Sequence, residues 1–193
     1  MWLEEVERLL AARPVRRSSS ERNLTRAAVL VPLYVNAGEL WLLLTRRAAG
    51  LPNHAGQMAF PGGVREDGDE DEVDTALRET HEELGVRPAT VMVLGHLDDV
   101  LTPSGFVISP VVGALPFPLE VTPSGEEIES VVPIPFHTLA NPRLVEYQEL
   151  MVDGEVMVSP VFHYHGHRVW GATARMIADL VARLTGAEPA LAE

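Results

Sequence analysis

From Arg78 to Val86 the sequence reads Arg-Glu-Thr-His-Glu-Glu-Leu-Gly-Val, and the spacing of its acids matters if the segment is helical. Successive helical residues turn by about 100°, so Glu79, Glu82 and Glu83 project within roughly one 100° sector. Val73, Ala76, Leu77, Thr80 and Leu84 fill the adjoining sector, which sets the acids at the rim of a buried face. Like charges at these spacings repel, and Arg78, one i,i+4 step from Glu82, offsets only part of that. Oxygen-only ligands select a hard cation (magnesium, manganese or calcium), and magnesium commonly shares its shell with water and substrate phosphate. Metal-assisted phosphate chemistry is one reading. A solvated acidic helix face with no ligand is the other.

The residues upstream bear on that choice. Asp67, Asp69 and Asp71 alternate like the first ligands of a calcium-binding loop, but the sixth position from Asp67 is Glu72, not glycine, and the twelfth is Arg78, not glutamate. These acids are therefore read as solvated loop and helix start, where the helix dipole favours them. Phe60-Pro61-Gly62-Gly63 reads as the end of a short strand and a chain break free of side-chain bulk, so the Gly62 carbonyl could approach the same ion.

Composition narrows the chemistry further. The 193 residues suit one domain, and with 46% hydrophobic and 22% charged residues the chain is an ordinary globular one. It has no cysteine, which removes thiol nucleophiles, disulfides and thiolate metal sites. All 15 basic side chains are arginine, so neither a Schiff base nor the lysine of a P-loop is available. A formal charge of −13 argues against nucleic-acid binding, while a small anion could still bind beside a cation. The start, Met1 to Glu5, lacks the positive charge of a signal peptide, and no apolar run reaches the about 18 residues of a membrane span. A cytoplasmic protein is expected, with no membrane partner.

The elements that must position the acids follow from periodicity. Trp2 to Leu10 has helical spacing, and Arg16 to Ser20 reads as a solvated polar link. Ala27–Val35 and Leu40–Thr45 read as a hairpin about Asn36-Ala37-Gly38, and Arg46 to His54 as a loop. A helix is expected from about Glu70 to Leu84, stopped by Gly85. Val91–Leu97, Val107–Leu115, Glu155–Phe162 and Tyr164–Trp170 read as strands, and Ala172–Leu184 as a closing helix with Ile177, Leu180, Val181 and Leu184 on its buried side. His163, His165 and His167 would share one strand face, read as polar surface rather than a transition-metal site. Trp170 is read as core or pocket wall. Residues 1–25 are expected to be an accessory helix and linker, 26–186 the catalytic domain and 187–193 a tail. The α/β pattern suggests a mixed sheet flanked by helices.

The run from Gly63 to Val86 resembles the Nudix box: a glycine, an acidic stretch, then R-E-U-x-E-E-x-G-U with U a bulky apolar residue. Six residues, Val64 to Asp69, separate Gly63 from Glu70 where the box has five, and Thr80 stands where an aliphatic residue is usual. Leu43-Leu44-Thr45-Arg46-Arg47-Ala48, then Gly56 and Phe60-Pro61-Gly62-Gly63, is similar to the upstream signature of the coenzyme A pyrophosphatase branch. Pro103-Ser104-Gly105-Phe106, Glu127-Ile128 and Trp170-Gly171-Ala172-Thr173-Ala174-Arg175 are similar to further segments of it. A second arginine of that signature falls at Pro52, which leaves another diphosphate open as substrate.

The resemblance implies a Nudix α/β/α sandwich that hydrolyses a nucleoside diphosphate derivative with Mg2+ or Mn2+. Glu79, Glu82, Glu83 and the Gly62 carbonyl would hold the metal, with Arg78 and Gly63 supporting the site. Glu79 or Glu127 would be the general base, and Arg47 would grip phosphate, its alternative being a surface ion pair beside Arg46. Coenzyme A is the first substrate expected; ADP-ribose, NADH or a nucleoside triphosphate is the rival, and a nucleotide-sensing module without catalysis is the second. A homodimer is compatible with the sequence.

Overall fold

The computed structural model describes residues 2–18, 24–52, 54–152 and 155–187. Its elements are α1 (Leu3–Ala11), β1 (Thr25–Asn36), β2 (Glu39–Arg47), β3 (Met58–Ala59), β4 (Gly62–Val64), α2 (Glu72–Leu84), β5 (Met92–His96), β6 (Val100–Leu101), β7 (Phe106–Ala114), β8 (Ile128–Pro135), α3 (Phe136–Leu139), β9 (Val145–Val152), β10 (Glu155–Tyr164), β11 (His167–Val169) and α4 (Gly171–Thr185). The main sheet runs β3-β2-β1-β7-β5, with β4 on β1, β6 on β7 and β8 on β2. It is mixed: β1 and β7 are parallel and the other pairs antiparallel.

Strand alternation explains how one sheet buries two faces. Ala28, Leu30 and Tyr34 of β1, with Leu43, Val111 and Ile128, pack under Ala76 and Leu84 of α2. Val31 and Leu33, with Leu42, Leu44 and Val112, face Val6 and Leu10 of α1 and Met176, Ile177, Leu180 and Leu184 of α4. The result is the expected mixed sheet between helices. No helix of the described residues is long and apolar enough to cross a membrane.

Several local expectations change. Gly62-Gly63 does not break the chain but forms strand β4 against β1, Gly62 opposite Val29 and Gly63 opposite Ala28. A strand there needs glycine: a side chain on Gly62 would strike the Ala28 carbonyl, and its φ of 153° is one that other residues avoid. The loop expected from Arg46 starts two residues later, because β2 continues to Arg47 along β8. His163, His165 and His167 do not share a strand face. The chain turns at His165 (φ 46°) and Gly166 (φ 81°), pairing Tyr164 with His167 across a hairpin. Arg16 and Arg17 are exposed, as expected of a polar link, but they are not free. They bond Asp98, Asp99 and Glu72, whereas Ser19 and Ser20 of that link, like 188–193 of the expected tail, lie outside the described residues.

Candidate active site

Helix α2 is fixed at both ends by its own sequence. Asp71 caps the start, its carboxylate accepting from the backbone N–H groups of Val73 at 2.8 Å and Asp74 at 3.0 Å. The helix therefore begins at Glu72, two residues later than expected. Gly85 ends it in the left-handed conformation (φ 70°), its N–H on the His81 carbonyl at 2.8 Å. Thr80, in a slot usually aliphatic, is buried, and its hydroxyl is satisfied by the Ala76 carbonyl at 2.6 Å. The core therefore accepts it as an apolar residue with one internal hydrogen bond.

The three glutamates of α2 meet three environments. Glu82 is exposed, its side chain at 57%. Glu79 lies against Gly63, so closely that a Cβ there would overlap its carboxylate. Glu83 is buried, at 4% exposure, and accepts one weak bond from the Gly62 N–H at 3.3 Å. Burial raises Glu79, Arg78 opposing it. Burial pushes Glu83 up to about 8, since the Gly62 amide and the Arg47 charge compensate little and Glu79 and Glu127 add repulsion.

Arg78 stands between two acids. Its Nε and one terminal nitrogen donate to the Asp69 carboxylate at 3.0 and 3.1 Å, while the other terminal nitrogen donates to Glu79 at 2.9 Å. It also reaches the Val64 carbonyl at 3.0 Å and touches Glu82 only at 3.5 Å. Asp69 is not a solvated loop acid. It is buried, takes the Glu66 N–H and the Thr75 hydroxyl at 2.9 Å each, and is held far below the usual carboxylate range by its hydrogen bonds with Arg78. Counted to Asp69, the separation from Gly63 is the five residues Val64 to Gly68, so the extra residue of the box lies after this acid. Asp67 and Asp71 alternate with it in sequence, and its burial against Arg78 and Thr75 sets it apart from them.

Arg47 and Glu127 reach the same place from the opposite side. Ile128 pairs with Arg47 in the β2–β8 ladder, and the Ala48 N–H donates to the Glu127 carbonyl at 2.8 Å. The loop before Glu127 is clipped to the end of α2: the N–H groups of Thr122 and Ser124 donate to the carbonyls of Leu84 and Glu83 at 2.7 and 2.9 Å. Glu127 is itself exposed. Arg46, not Arg47, makes the surface pair, with Glu129 at 3.6 Å, and the Arg47 Nε is buried without a protein partner among the described residues. A cleft of about 360 Å³ opens beside Asp69, lined by Thr25, Arg26, Val64, Arg65, Glu66 and Asp67, and none of the three glutamates of α2 lines it.

Around this point two arginines, Arg47 and Arg78, share six carboxylates: Glu66, Asp69, Glu79, Glu82, Glu83 and Glu127. Among the described residues no three His, Asp or Glu side chains already converge as a coordination shell. The donor chemistry nevertheless fits a hard cation: every free donor is oxygen, and Glu83 is a buried acid that no arginine neutralises by contact.

Residues 24–153 match the NUDIX domain. A protein of Cronobacter sakazakii named "Uncharacterized Nudix hydrolase NudL" is 40% identical over 172 residues, which are 86% of each chain. Among solved structures, a NUDIX hydrolase from Alicyclobacillus acidocaldarius superposes with a TM-score of 0.58 at 19% identity, covering 86% of this chain and 93% of its own. A C. elegans Ap4A hydrolase in a binary complex gives 0.50 at 26% identity, covering 57% and 80%.

Proposed function

The chain belongs to the Nudix family, and from that premise we propose that it is a hydrolase that cleaves the diphosphate of coenzyme A or an acyl derivative, releasing 3′,5′-ADP and 4′-phosphopantetheine or its acyl form. The reading is carried by two carboxylates of α2 gathered at Gly62-Gly63: Glu79, against Gly63 and sharing Arg78 with Asp69, and Glu83, buried beneath Gly62 with no arginine in contact. Glu79, Glu82, Glu83 and the Gly62 carbonyl would hold a divalent cation, Mg2+ or Mn2+, which when bound would neutralise charge on the diphosphate and acidify water.

The chain's own residues do the rest. Arg47 binds a substrate phosphate through its fork of donors, a role for which its unpartnered Nε is available. Glu127 accepts the proton of the attacking water; Glu79 is the other candidate, although its bond to Arg78 opposes protonation. Arg78 orients Glu79, and Asp69 holds Arg78 in place. Coenzyme A is favoured over other diphosphates by the segments around Arg47, Pro103 and Trp170, and the similarity to an Ap4A hydrolase supports a nucleotide-derived substrate.

The test is a panel of coenzyme A, acetyl-coenzyme A, ADP-ribose, NADH and nucleoside triphosphates with Mg2+ or Mn2+, products resolved by mass. Release of 3′,5′-ADP is expected. Cleavage of ADP-ribose alone would reject coenzyme A, and metal-independent binding with no product from any compound would make the protein a sensor.

A further inference from the structure

We propose that residues 13–18 are a strap that sets the position of α2, with Arg17 as its positioning residue; the proposal rests on the reading of α2 as the metal-binding helix. The segment precedes the residues that match the NUDIX domain, yet it is bound into the catalytic unit. Its backbone lies along the β5–β6 turn: the Arg16 N–H donates to Asp98 at 3.0 Å, the Asp99 N–H donates to the Arg16 carbonyl at 3.0 Å, and the Ser18 N–H donates to Asp99 at 2.8 Å.

Asp99 is the anchor of this arrangement. Its side chain is 2% exposed and also accepts the Ser109 hydroxyl of β7 at 2.9 Å, which fixes it to the sheet. From that anchor Arg17 spans outward: one terminal nitrogen donates to Asp99 at 3.1 Å and the other to Glu72 at 2.5 Å. Glu72 is the first residue of α2, so the bridge ties the start of the helix to the sheet, as Thr122 and Ser124 tie its end.

The mechanical consequence follows from Gly63. The Glu79 carboxylate sits where a single methyl group would not fit. A helix moves as a rigid element, so a tilt at Glu72 displaces Glu79 two turns on. Misplacement of catalytic groups by about 1 Å can cost roughly 100-fold in rate. A half-exposed bridge holds less tightly than that limit, so loss of Arg17 is expected to lower kcat and weaken metal binding by roughly threefold to tenfold with KM nearly unchanged.

The experiment uses the full chain and Mn2+ as probe, binding followed by calorimetry and turnover followed on the best substrate of the panel. Arg17→Gln should weaken Mn2+ binding and lower kcat, Arg17→Lys should restore part of both, and Glu72→Gln should act like Arg17→Gln without adding to it in the double variant. Arg87→Gln, on an exposed arginine, is the control and should change nothing. Wild-type Mn2+ affinity and kcat in Arg17→Gln would overturn the strap, as would full additivity with Glu72→Gln. If Glu79→Gln and Glu82→Gln also leave Mn2+ uptake and turnover intact, the metal reading of α2 itself fails; if they abolish both while Arg17→Gln does nothing, only the strap does.

Discussion

Two clusters of partly buried charge are built around helices on opposite faces of the sheet, and their bookkeeping differs. From α4 across to the first residue of α2, Arg13, Arg16, Arg17 and Arg183 meet Asp98, Asp99, Asp179 and Glu72, four cations for four acids. Arg183 is fully buried, bonded to Asp98 and Asp179 and to the Arg13 carbonyl at 2.9 Å, so each end of its fork is satisfied. Beside α2, six acids share two arginines, and Glu83 is buried with no cation in contact. A closed and neutral cluster holds elements together and, through Arg17 and Glu72, sets the start of α2. An open and anionic one can recruit a cation, and the imbalance separates a candidate site from a structural network of the same residue types.

The largest effect expected at the open cluster comes from Glu127→Gln. If Glu127 is the base, kcat falls by about 10²- to 10⁴-fold while metal affinity holds; turnover within a few-fold of wild type would transfer the role to Glu79. At the closed cluster Arg183→Leu should cost about 3 kcal/mol, because it removes the buried cation between Asp98 and Asp179 and leaves only the more exposed Arg13 and Arg16 to hold them. Denaturant unfolding measures that loss, and kcat of the folded fraction should not change. An equal fall in kcat would mean that the two clusters do not divide the work.

Gly63→Ala comes next. The clash is with the flexible end of Glu79, so the fold should survive while turnover drops by up to roughly 100-fold; unfolding midpoints and kinetics together separate the two effects. The smallest effect is in acid. Asp69, through its hydrogen bonds with Arg78, and Asp98, through its arginines against the cost of burial, ionise more readily folded than unfolded. Each therefore adds stability that is complete above the unfolded pKa of about 3.9 and lost as pH falls through the lower folded value. Unfolding midpoints between pH 5 and 2 should show a shallower acid slope in Asp69→Asn and in Asp98→Asn than in wild type.

The sequence disclosed what depends on local pattern. The β1–β2 hairpin, α2 with its stop at Gly85, and the buried stripe of α4 all follow from short-range periodicity, and they carry the sheet and both helical layers. What it concealed depends on partners far along the chain. Strand β8 was hidden because Pro133 and Pro135 argue against a strand, and it tolerates them as an edge that, among the described residues, pairs with β2 alone. Strand β4 was hidden by Gly62 and Gly63, whose lack of side chains is what lets β1 and Glu79 approach. Asp69 could not be told from Asp67 and Asp71, since its burial is decided by Arg78 and Thr75. Arg17 meets its acids 55 and 82 positions away, a pairing no motif announces.

The acids of α2 outnumber the arginines beside them, and on this reading that surplus takes up a divalent cation. Calorimetric titration of the wild-type chain and of a Glu79→Gln, Glu82→Gln, Glu83→Gln triple variant with Mn2+, alongside circular dichroism and product release, tests it directly. The account predicts uptake and turnover in the wild type and neither in a folded triple variant. Turnover that persists in the triple variant without metal uptake would contradict it.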